Sequence, residues 1–569
     1  MDDTNKKFCS IIFDVLSAHG VKDTVCSPGS RNVPLLLAAA ARDEIRKHFI
    51  VDERSAAFFA LGLAEVSQQP VVLICTSGTA LLNYAPAIAE AYYQNIPLII
   101  LSADRPIQWI DQDDSQTLRQ DNALDNYLKK SYSIPAGNDE IKELQWYVNR
   151  ITNDAFITAM SGAKGPVHIN IHLDEPLGVK TGRSCNPVRL VESLNSDTFG
   201  NKEIFKSLAQ ELVNSRIMLV AGFGMPDSGL QKAVADFSRW PNVAVMAETI
   251  SNLHLNLEDY RVDSVLTAFP AETLYNEAPD IIISIGGALV SRKLKEYLRR
   301  NSERCIHWKV GYSHTTTDPF MNLGLRLEID PIRFFRSINE AVRKIGISPS
   351  TSYYKDNWHH LRKLAAEAKD RYIHSCNWSE LKAFSVMLNQ IPSDYNVFLS
   401  NGTTVRYAQI ISHRLPHATF CNRGVSGIDG SVSTSIGGAI AYKGKSLLIT
   451  GDLSLIYDIG AFNIKEIPSN FKIIVIDNQG GSIFRFIPST SNLEEREEYL
   501  CQTPDFPWHN FAVGFGWKYF EADTEESLNK IIPGFFHDKE RCLLRIQCDG
   551  ISSAEILKEY METRINRCE

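Results

Sequence analysis

Ser446-Leu447-Leu448-Ile449-Thr450-Gly451-Asp452, followed by Ile473-Ile474-Val475-Ile476-Asp477-Asn478-Gln479-Gly480, is the stretch whose reading decides the fold. Each half is a short apolar run that stops at Gly, Asp or Asn. Runs of this length beside turn residues predict buried strands of a parallel sheet, each with a loop at its C-terminal end. Ligands of α/β proteins bind at such loops. Gly451 lets the backbone come close to a ligand. Asp452 offers a carboxylate, and Asn478 follows 26 positions later (478 − 452). A carboxylate, an amide oxygen and a backbone carbonyl are hard oxygen donors, the set that suits Mg²⁺ or Mn²⁺. Gly-Asp alone would be an ordinary turn. The pair at this spacing, between two apolar strands, predicts an anchor for a metal and phosphate groups, with Asp452, Asn478 and Gly480 as metal ligands.

The same rhythm of strand and loop runs outward in both directions. Val397 to Ser400 precedes Asn401-Gly402. Near the N-terminus, Thr24-Val25-Cys26 precedes Ser27-Pro28-Gly29-Ser30, Pro70 to Cys75 precedes Thr76-Ser77-Gly78-Thr79, and Pro97 to Leu101 precedes Ser102-Ala103-Asp104-Arg105-Pro106. The pattern predicts an α/β chain of three domains with mainly parallel sheets, over 1–182, 200–345 and 377–569. A polar linker at 181–200 and a charged, helical linker at 346–376 are expected between them. In the middle block, Ile217 to Ala221 leads into Gly222-Phe223-Gly224, and Ile281 to Ile285 into Gly286-Gly287. G-x-G without a third glycine is a weak dinucleotide signal, and a tight turn explains it better. Val167 to Leu173 alternates strictly, which predicts a half-exposed strand with solvated His168 and His172.

The bulk properties remove several classes. The 569 residues carry a formal net charge of −8, so no basic face for nucleic acid is expected. The 11 cysteines are scattered without a C-x-x-C pair, which predicts buried thiols rather than a zinc site or a disulfide framework. The N-terminus lacks a basic region followed by an apolar core, and no apolar run reaches the ~18 residues of a membrane span. A cytoplasmic protein is expected.

Phe49-Ile50-Val51 reads as a strand ending at Asp52-Glu53-Arg54, and an apolar helix follows from Ser55 to Val66. A carboxylate at a helix start is stabilised by the dipole by about 0.3–1 kcal/mol, which by itself accounts for Glu53. Its context points further. The paired anchor resembles the thiamine-diphosphate motif, which begins Gly-Asp and ends in Asn; Gln479 stands where that motif has a second Asn. Five further stretches, Ser27-Pro28-Gly29-Ser30-Arg31, Asp52 to Phe58, Thr76-Ser77-Gly78-Thr79-Ala80, Ser102-Ala103-Asp104-Arg105-Pro106 and Asn422 to Gly430, together resemble one family. It is the 2-succinyl-5-enolpyruvyl-6-hydroxy-3-cyclohexene-1-carboxylate synthases of menaquinone biosynthesis, and the matches span about 26–488.

The resemblance implies pyrimidine-binding, central and diphosphate-binding domains. It implies a homodimer or homotetramer with thiamine diphosphate and Mg²⁺ or Mn²⁺ held between subunits. The implied reaction decarboxylates 2-oxoglutarate and adds the succinic semialdehyde carbanion to isochorismate. Glu53 then matches the glutamate that activates the cofactor, with Asp52 as the near competitor. Thr79, Asn401, Gly427 and Ile428 match further cofactor contacts, Ile428 being the apolar prop beneath the cofactor. Both substrates carry two carboxylates, which call for arginine. Ser30, Arg31, Arg105, Gln116, Arg292, Lys293, Arg406 and Arg423 are the expected substrate residues, and Ile483 and Phe484 the apolar wall. Ser115 and Gly402 depart from the family's pattern, so one substrate hydrogen bond is missing at Gly402. The alternative is another thiamine-dependent 2-oxo acid decarboxylase or an acetolactate-type synthase, whose pocket would be more apolar.

Overall fold

The structure, a computed structural model, describes residues 3–138, 140–181, 188–193, 202–253, 262–411, 418–502 and 505–565. Two compact units emerge. One comprises Met1–Asn195, Gly424–Lys443 and Tyr457–Pro468; the other comprises Ser196–Arg423, Gly444–Ile456 and Ser469–Glu569.

In the first unit the strands are β1 (Asp3–Thr4), β2 (Asp23–Cys26), β3 (Arg46–Phe49), β4 (Val71–Cys75), β5 (Leu98–Asp104), β6 (Lys130–Ile134), β7 (Val167–His172) and β8 (Lys180–Thr181). β1 and β8 form a short antiparallel pair. The other six make a parallel sheet in the order β3-β2-β4-β5-β7-β6. Chain direction across the sheet reverses between β2 and β4, so the loops after these strands flank the crevice where α/β sheets bind ligands. β4 and β5 are buried along their whole length, as continuous apolar runs require.

The helix Glu53–Ser67 packs on the helix Ser431–Tyr442 at reciprocal glycines. A Cβ on Gly62 would lie 1.9 Å from Thr434 O, and one on Gly437 would lie 2.0 Å from Phe59 O. Only hydrogen fits at this crossing.

β7 corrects one expectation. Its residues are all buried, with His168 at 0% and His172 at 3% exposure. The strand lies between β5 and β6, and its polar positions enter a side-chain hydrogen-bond network. His168 Nε2 pairs with Ser102 Oγ at 2.6 Å. Asn170 Oδ1 accepts from Ser102 Oγ and Gln120 Nε2, and its Nδ2 donates to Asp104 and Asp121. Burial lowers His168 to about 4, so it is neutral.

In the second unit β9 (Ile217–Ala221), β10 (Val243–Ala247), β11 (Ile281–Ile285), β12 (Ile306–Val310) and β13 (Leu323–Leu327) form a parallel sheet in the order β10-β9-β11-β12-β13. Ile217, Leu219 and Ala221 enter one apolar cluster, while Met218 and Val220 enter another. Burial on both faces is why β9 reads as an unbroken apolar run. The crevice between β9 and β11 is closed by backbone. Gly287 N donates to Phe223 O at 2.7 Å. A Cβ on Gly222 would meet Gly287 O at 2.3 Å, and one on Gly286 would meet Phe223 O at 2.5 Å. These glycines serve loop contact, as the tight-turn reading expects.

The third sheet holds β14 (Tyr395–Leu399), β15 (Thr419–Phe420), β16 (Lys445–Gly451), β17 (Phe471–Asp477), β18 (Lys518–Ala522) and β19 (Cys542–Gln547), all parallel, in the order β15-β14-β16-β17-β19-β18. Its direction reverses between β14 and β16, which carry Asn401-Gly402 and Gly451-Asp452 at their ends. The expected linker at 346–376 is helical over Tyr354–Ser375, but it is packed into this unit, with Tyr354 and Trp358 fully buried. Of the expected linker at 181–200, residues 182–187 and 194–200 lie outside the described residues. Among the described residues no helix is long and apolar enough to cross a membrane, and every cysteine is a free thiol.

Candidate active site

In the second unit β16 ends at Gly451, and Asp452 opens the helix Asp452–Tyr457. Asp452 is buried; its Oδ1 accepts from Leu453 N at 2.7 Å and its Oδ2 from Gly480 N at 2.8 Å. The second bond ties the ends of β16 and β17 together. Burial, and after it the charge of Asp477, pushes Asp452 up to about 7. Asp477 is engaged by Arg545 through Nε at 2.7 Å and Nη2 at 2.6 Å, so it is not a free donor. Asn478 Nδ2 donates to Glu380 Oε2 at 3.1 Å, while Asn478 Oδ1 is buried without a partner. Gly480 O accepts one long bond, 3.3 Å, from Arg485 Nη1 and keeps a second lone pair. Gln479, the departure from the motif, is exposed and takes a positive φ of 61° in the turn.

This donor set fits a divalent cation. An orphaned amide oxygen and a desolvated carboxylate each lack what a hard cation supplies. Among the described residues no cluster of three His, Cys, Asp or Glu could hold a metal. The trio here differs in kind, because two of its oxygens come from an amide and the backbone.

Around the same sheet the cations gather. Arg292, Lys293 and Arg406 line one cavity of 720 Å³, with Asp263, Glu296, Phe486 and Ile487. Arg292 and Lys293 begin the helix Arg292–Arg300 and both face Glu296, at 2.7 and 3.7 Å. Arg406 donates to Gly402 O. Burial and then Arg423 lower its pKa, and Asp263 works against them. Arg423 is buried; Nη1 bonds Asn401 Oδ1 at 3.0 Å, and Nε has no partner among the described residues. Asn401 Nδ2 in turn donates to Asn422 O at 2.6 Å. Ile483 and Phe484 lie on the one-turn helix Ser482–Arg485, outside the lining of that cavity.

In the first unit Asp52 caps the helix Glu53–Ser67, its Oδ1 accepting from Arg54 N at 3.0 Å and Ser55 N at 3.5 Å. The cap occupies Asp52 and leaves Glu53 as the first helical residue, its carboxylate without a hydrogen bond or ion pair among the described residues. After burial, the Glu53 charge is the next cause that raises the Cys75 thiol at the end of β4. Arg31 is buried beside Arg105; burial and then Arg105 lower its pKa. Arg31 Nη1 bonds Leu173 O at 3.0 Å, and Arg105 Nη2 bonds Ser115 O at 2.9 Å. Asp114 lies 3.3 Å from Arg105 and Glu175 3.4 Å from Arg31. Ser30, Thr79 and Gln116 are exposed. The loop of Gly78 touches Gln116, since a Cβ there would lie 3.1 Å from Gln116 O. Gly427 and Ile428 follow a loop clamped by Glu90, whose carboxylate accepts from the backbone N–H of Gly424, Val425 and Ser426. Ile428 is 38% exposed.

Sequence reasoning missed Glu90, Glu380, Arg485, Phe486 and Ile487. Each is an ordinary residue of a helix or turn; the fold brings Glu90 to the 424–426 loop in the first unit, and Glu380 and Arg485 to the loop of Asn478 and Gly480 in the second.

The family signature "Thiamine pyrophosphate enzyme, N-terminal TPP binding domain" matches residues 6–124. Three proteins named 2-succinyl-5-enolpyruvyl-6-hydroxy-3-cyclohexene-1-carboxylate synthase are similar to the chain. That of Porphyromonas gingivalis is 37% identical over 98% of this chain and 97% of its own length. That of Christiangramia forsetii is 36% identical over 95% and 96%. That of Desulfotalea psychrophila is 40% identical over 83% and 86%. Identity at this level across nearly the whole length, together with the anchor and the cofactor-domain signature, leads to one conclusion: the chain belongs to the 2-succinyl-5-enolpyruvyl-6-hydroxy-3-cyclohexene-1-carboxylate synthase family, the thiamine-diphosphate-dependent enzymes of menaquinone biosynthesis.

Proposed function

We propose that the chain decarboxylates 2-oxoglutarate and joins the product carbanion to isochorismate, with the residues above in the following roles. Asp452, Asn478 and the Gly480 carbonyl hold Mg²⁺ or Mn²⁺, and through it the diphosphate of the cofactor. The observation that carries this reading is the buried, unpartnered Asn478 Oδ1 on the loop that also binds Asp452. Thiamine diphosphate supplies, when bound, the electron sink for loss of CO₂ from a 2-oxo acid. Glu53 shares its carboxyl proton with the aminopyrimidine ring; Asp52 is spent on the helix cap. Thr79, Asn401, Gly427 and Ile428 complete the cofactor's surroundings, with Glu90 fixing the loop before Gly427.

Arg31, Arg105, Arg292, Lys293, Arg406 and Arg423 receive the carboxylates of the two substrates, assisted by Ser30 and Gln116, while Ile483 and Phe484 exclude water. Two arginine pairs, Arg31 with Arg105 and Arg406 with Arg423, carry mutual repulsion that an incoming dicarboxylate relieves. A decarboxylase of apolar 2-oxo acids has no use for such pairs. The working form is a homodimer or homotetramer in the cytoplasm, with each cofactor held by two copies of the chain. Exposed Phe49 (57%) and Val51 (79%) beside Glu53 support such a contact.

Equilibrium binding of thiamine diphosphate tests the assignment. Asp452→Asn and Asn478→Ala lose metal-dependent cofactor binding while keeping the fold. Glu53→Gln keeps cofactor binding and loses turnover. Unchanged binding in Asp452→Asn contradicts the anchor.

A further inference from the structure

Glu380 is fully buried at the first position of the helix Glu380–Leu388. The helix start is fixed twice, by Ser379 Oγ accepting from Lys382 N at 3.3 Å and by Glu380 N donating to Ser553 Oγ at 3.0 Å. The carboxylate therefore stands in one place. Its Oε2 accepts from Asn478 Nδ2 at 3.1 Å, and its Oε1 accepts from Ser482 Oγ at 2.8 Å.

An asparagine amide is nearly symmetric in shape, so packing alone does not choose which end points where. Hydrogen bonding does. A carboxylate accepts and does not donate, so it admits Nδ2 on its side and turns Oδ1 to the other. Oδ1 is the buried oxygen left without a partner. The second carboxylate oxygen ties the same loop to the turn Ser482–Arg485, which carries Ile483 and Phe484.

We propose that Glu380 is a positioning residue that aims the Asn478 amide oxygen at the divalent cation and locks that loop to the turn bearing Ile483 and Phe484. This rests on the reading of Asn478 as a cation ligand. Glu380 does not touch the cation, and its role passes through Asn478 and Ser482.

The test is Mn²⁺ binding to the full chain with thiamine diphosphate present, read from the electron paramagnetic resonance of free Mn²⁺. Glu380→Leu removes both acceptors, so nothing holds Asn478 Nδ2 and the amide is free to turn its oxygen away from the cation. Mn²⁺ affinity falls about 10–100-fold, the usual cost of losing a residue that orients a ligand. Adding Asn478→Asp to Glu380→Leu restores it, because a carboxylate has no wrong face. Asn478→Asp alone sets two carboxylates against each other and binds Mn²⁺ more weakly than the double variant. A residue that merely fills space would not produce that reversal. Unchanged affinity in Glu380→Leu, or no gain from the second substitution, overturns the proposal. If circular dichroism shows these variants unfolded, Glu380→Asp decides: its shorter carboxylate loses reach to Asn478 and weakens Mn²⁺ at least about threefold, and unchanged affinity overturns the proposal. Asp452→Asn runs alongside. Normal Mn²⁺ binding there would sink the cation site itself, whereas weak binding there with normal binding in Glu380→Leu would sink only the positioning role.

Discussion

Replacing Gly62 by alanine tests how closely the helix carrying Glu53 must approach its neighbour. A Cβ at Gly62 would lie 1.9 Å from Thr434 O, whereas real contacts begin at 3.0 Å. The helices must separate by at least 1.1 Å (3.0 − 1.9), because the obstacle is a backbone carbonyl that cannot rotate away. Overpacking of this kind costs about 1–3 kcal/mol, and an immovable obstacle favours the upper end. Alanine returns about 0.8–1 kcal/mol through helix propensity, leaving a net loss of about 2 kcal/mol. Gly534, inside the helix Glu525–His537, is the matched control, since nothing lies within 4 Å of its Cβ position. There the propensity gain acts alone, and Gly534→Ala stabilises by about 0.8–1 kcal/mol. Hydrogen–deuterium exchange read by mass spectrometry reports each helix separately. Amides of Glu53–Ser67 exchange roughly 30-fold faster in Gly62→Ala, and those of Glu525–His537 exchange more slowly in Gly534→Ala. Turnover falls in the first variant, since Glu53 and the loop before Ser431 move with their helices. Native exchange rates in Gly62→Ala would refute the claim that the close crossing is required.

The remaining predictions concern charge. Arg406→Gln removes one charge-assisted bond to a substrate carboxylate, worth about 1.5–3 kcal/mol, so kcat/KM falls about 10–100-fold in steady-state kinetics while cofactor binding is unchanged. For His48, burial alone would lower the pKa, but its bonds to Asp23 and Glu466 prevail and hold it at about 9. The protonated ring therefore stabilises the fold fully below the ordinary value of 6.5, and the contribution is lost as pH rises through about 9. Urea unfolding at pH 6 and pH 9.5 should show a loss of about 1–3 kcal/mol that His48→Gln abolishes, the lower figure allowing for solvent around Glu466. Gly222→Ala drives a Cβ into Gly287 O and destabilises the central sheet by about 1–3 kcal/mol, measured as a lower unfolding midpoint.

The parts legible in the sequence share a physical cause. β4, β9, β16 and β17 are covered on both faces, so they read as unbroken apolar runs, and the residues that end them mark the loops that bear Thr79, Gly222, Asp452 and Asn478. Alternation misled at β7. A period of two reports which side of a sheet a residue faces, not whether that side is wet; Ser102 pairs with His168 Nε2, Gln120, Asp104 and Asp121 bond Asn170, and the Arg105 carbonyl pairs with His172. Asp52, the near competitor of Glu53 in the sequence reading, is occupied by the helix cap, a geometry that the residue order alone does not reveal. Glu380 left no trace in the sequence, because its partner Asn478 lies 98 positions away and neither residue is unusual for its element. The cavity around Arg406 was equally hidden, since its lining comes from segments around 263, 292, 406, 485 and 558.

The central claim is the reaction itself. The most direct measurement supplies the purified chain with thiamine diphosphate, Mg²⁺ and 2-oxoglutarate, and follows CO₂ release and isochorismate consumption together. The account predicts that isochorismate accelerates decarboxylation and is consumed in equal amount to the CO₂ formed, with no turnover of pyruvate. Pyruvate decarboxylation indifferent to isochorismate would contradict it.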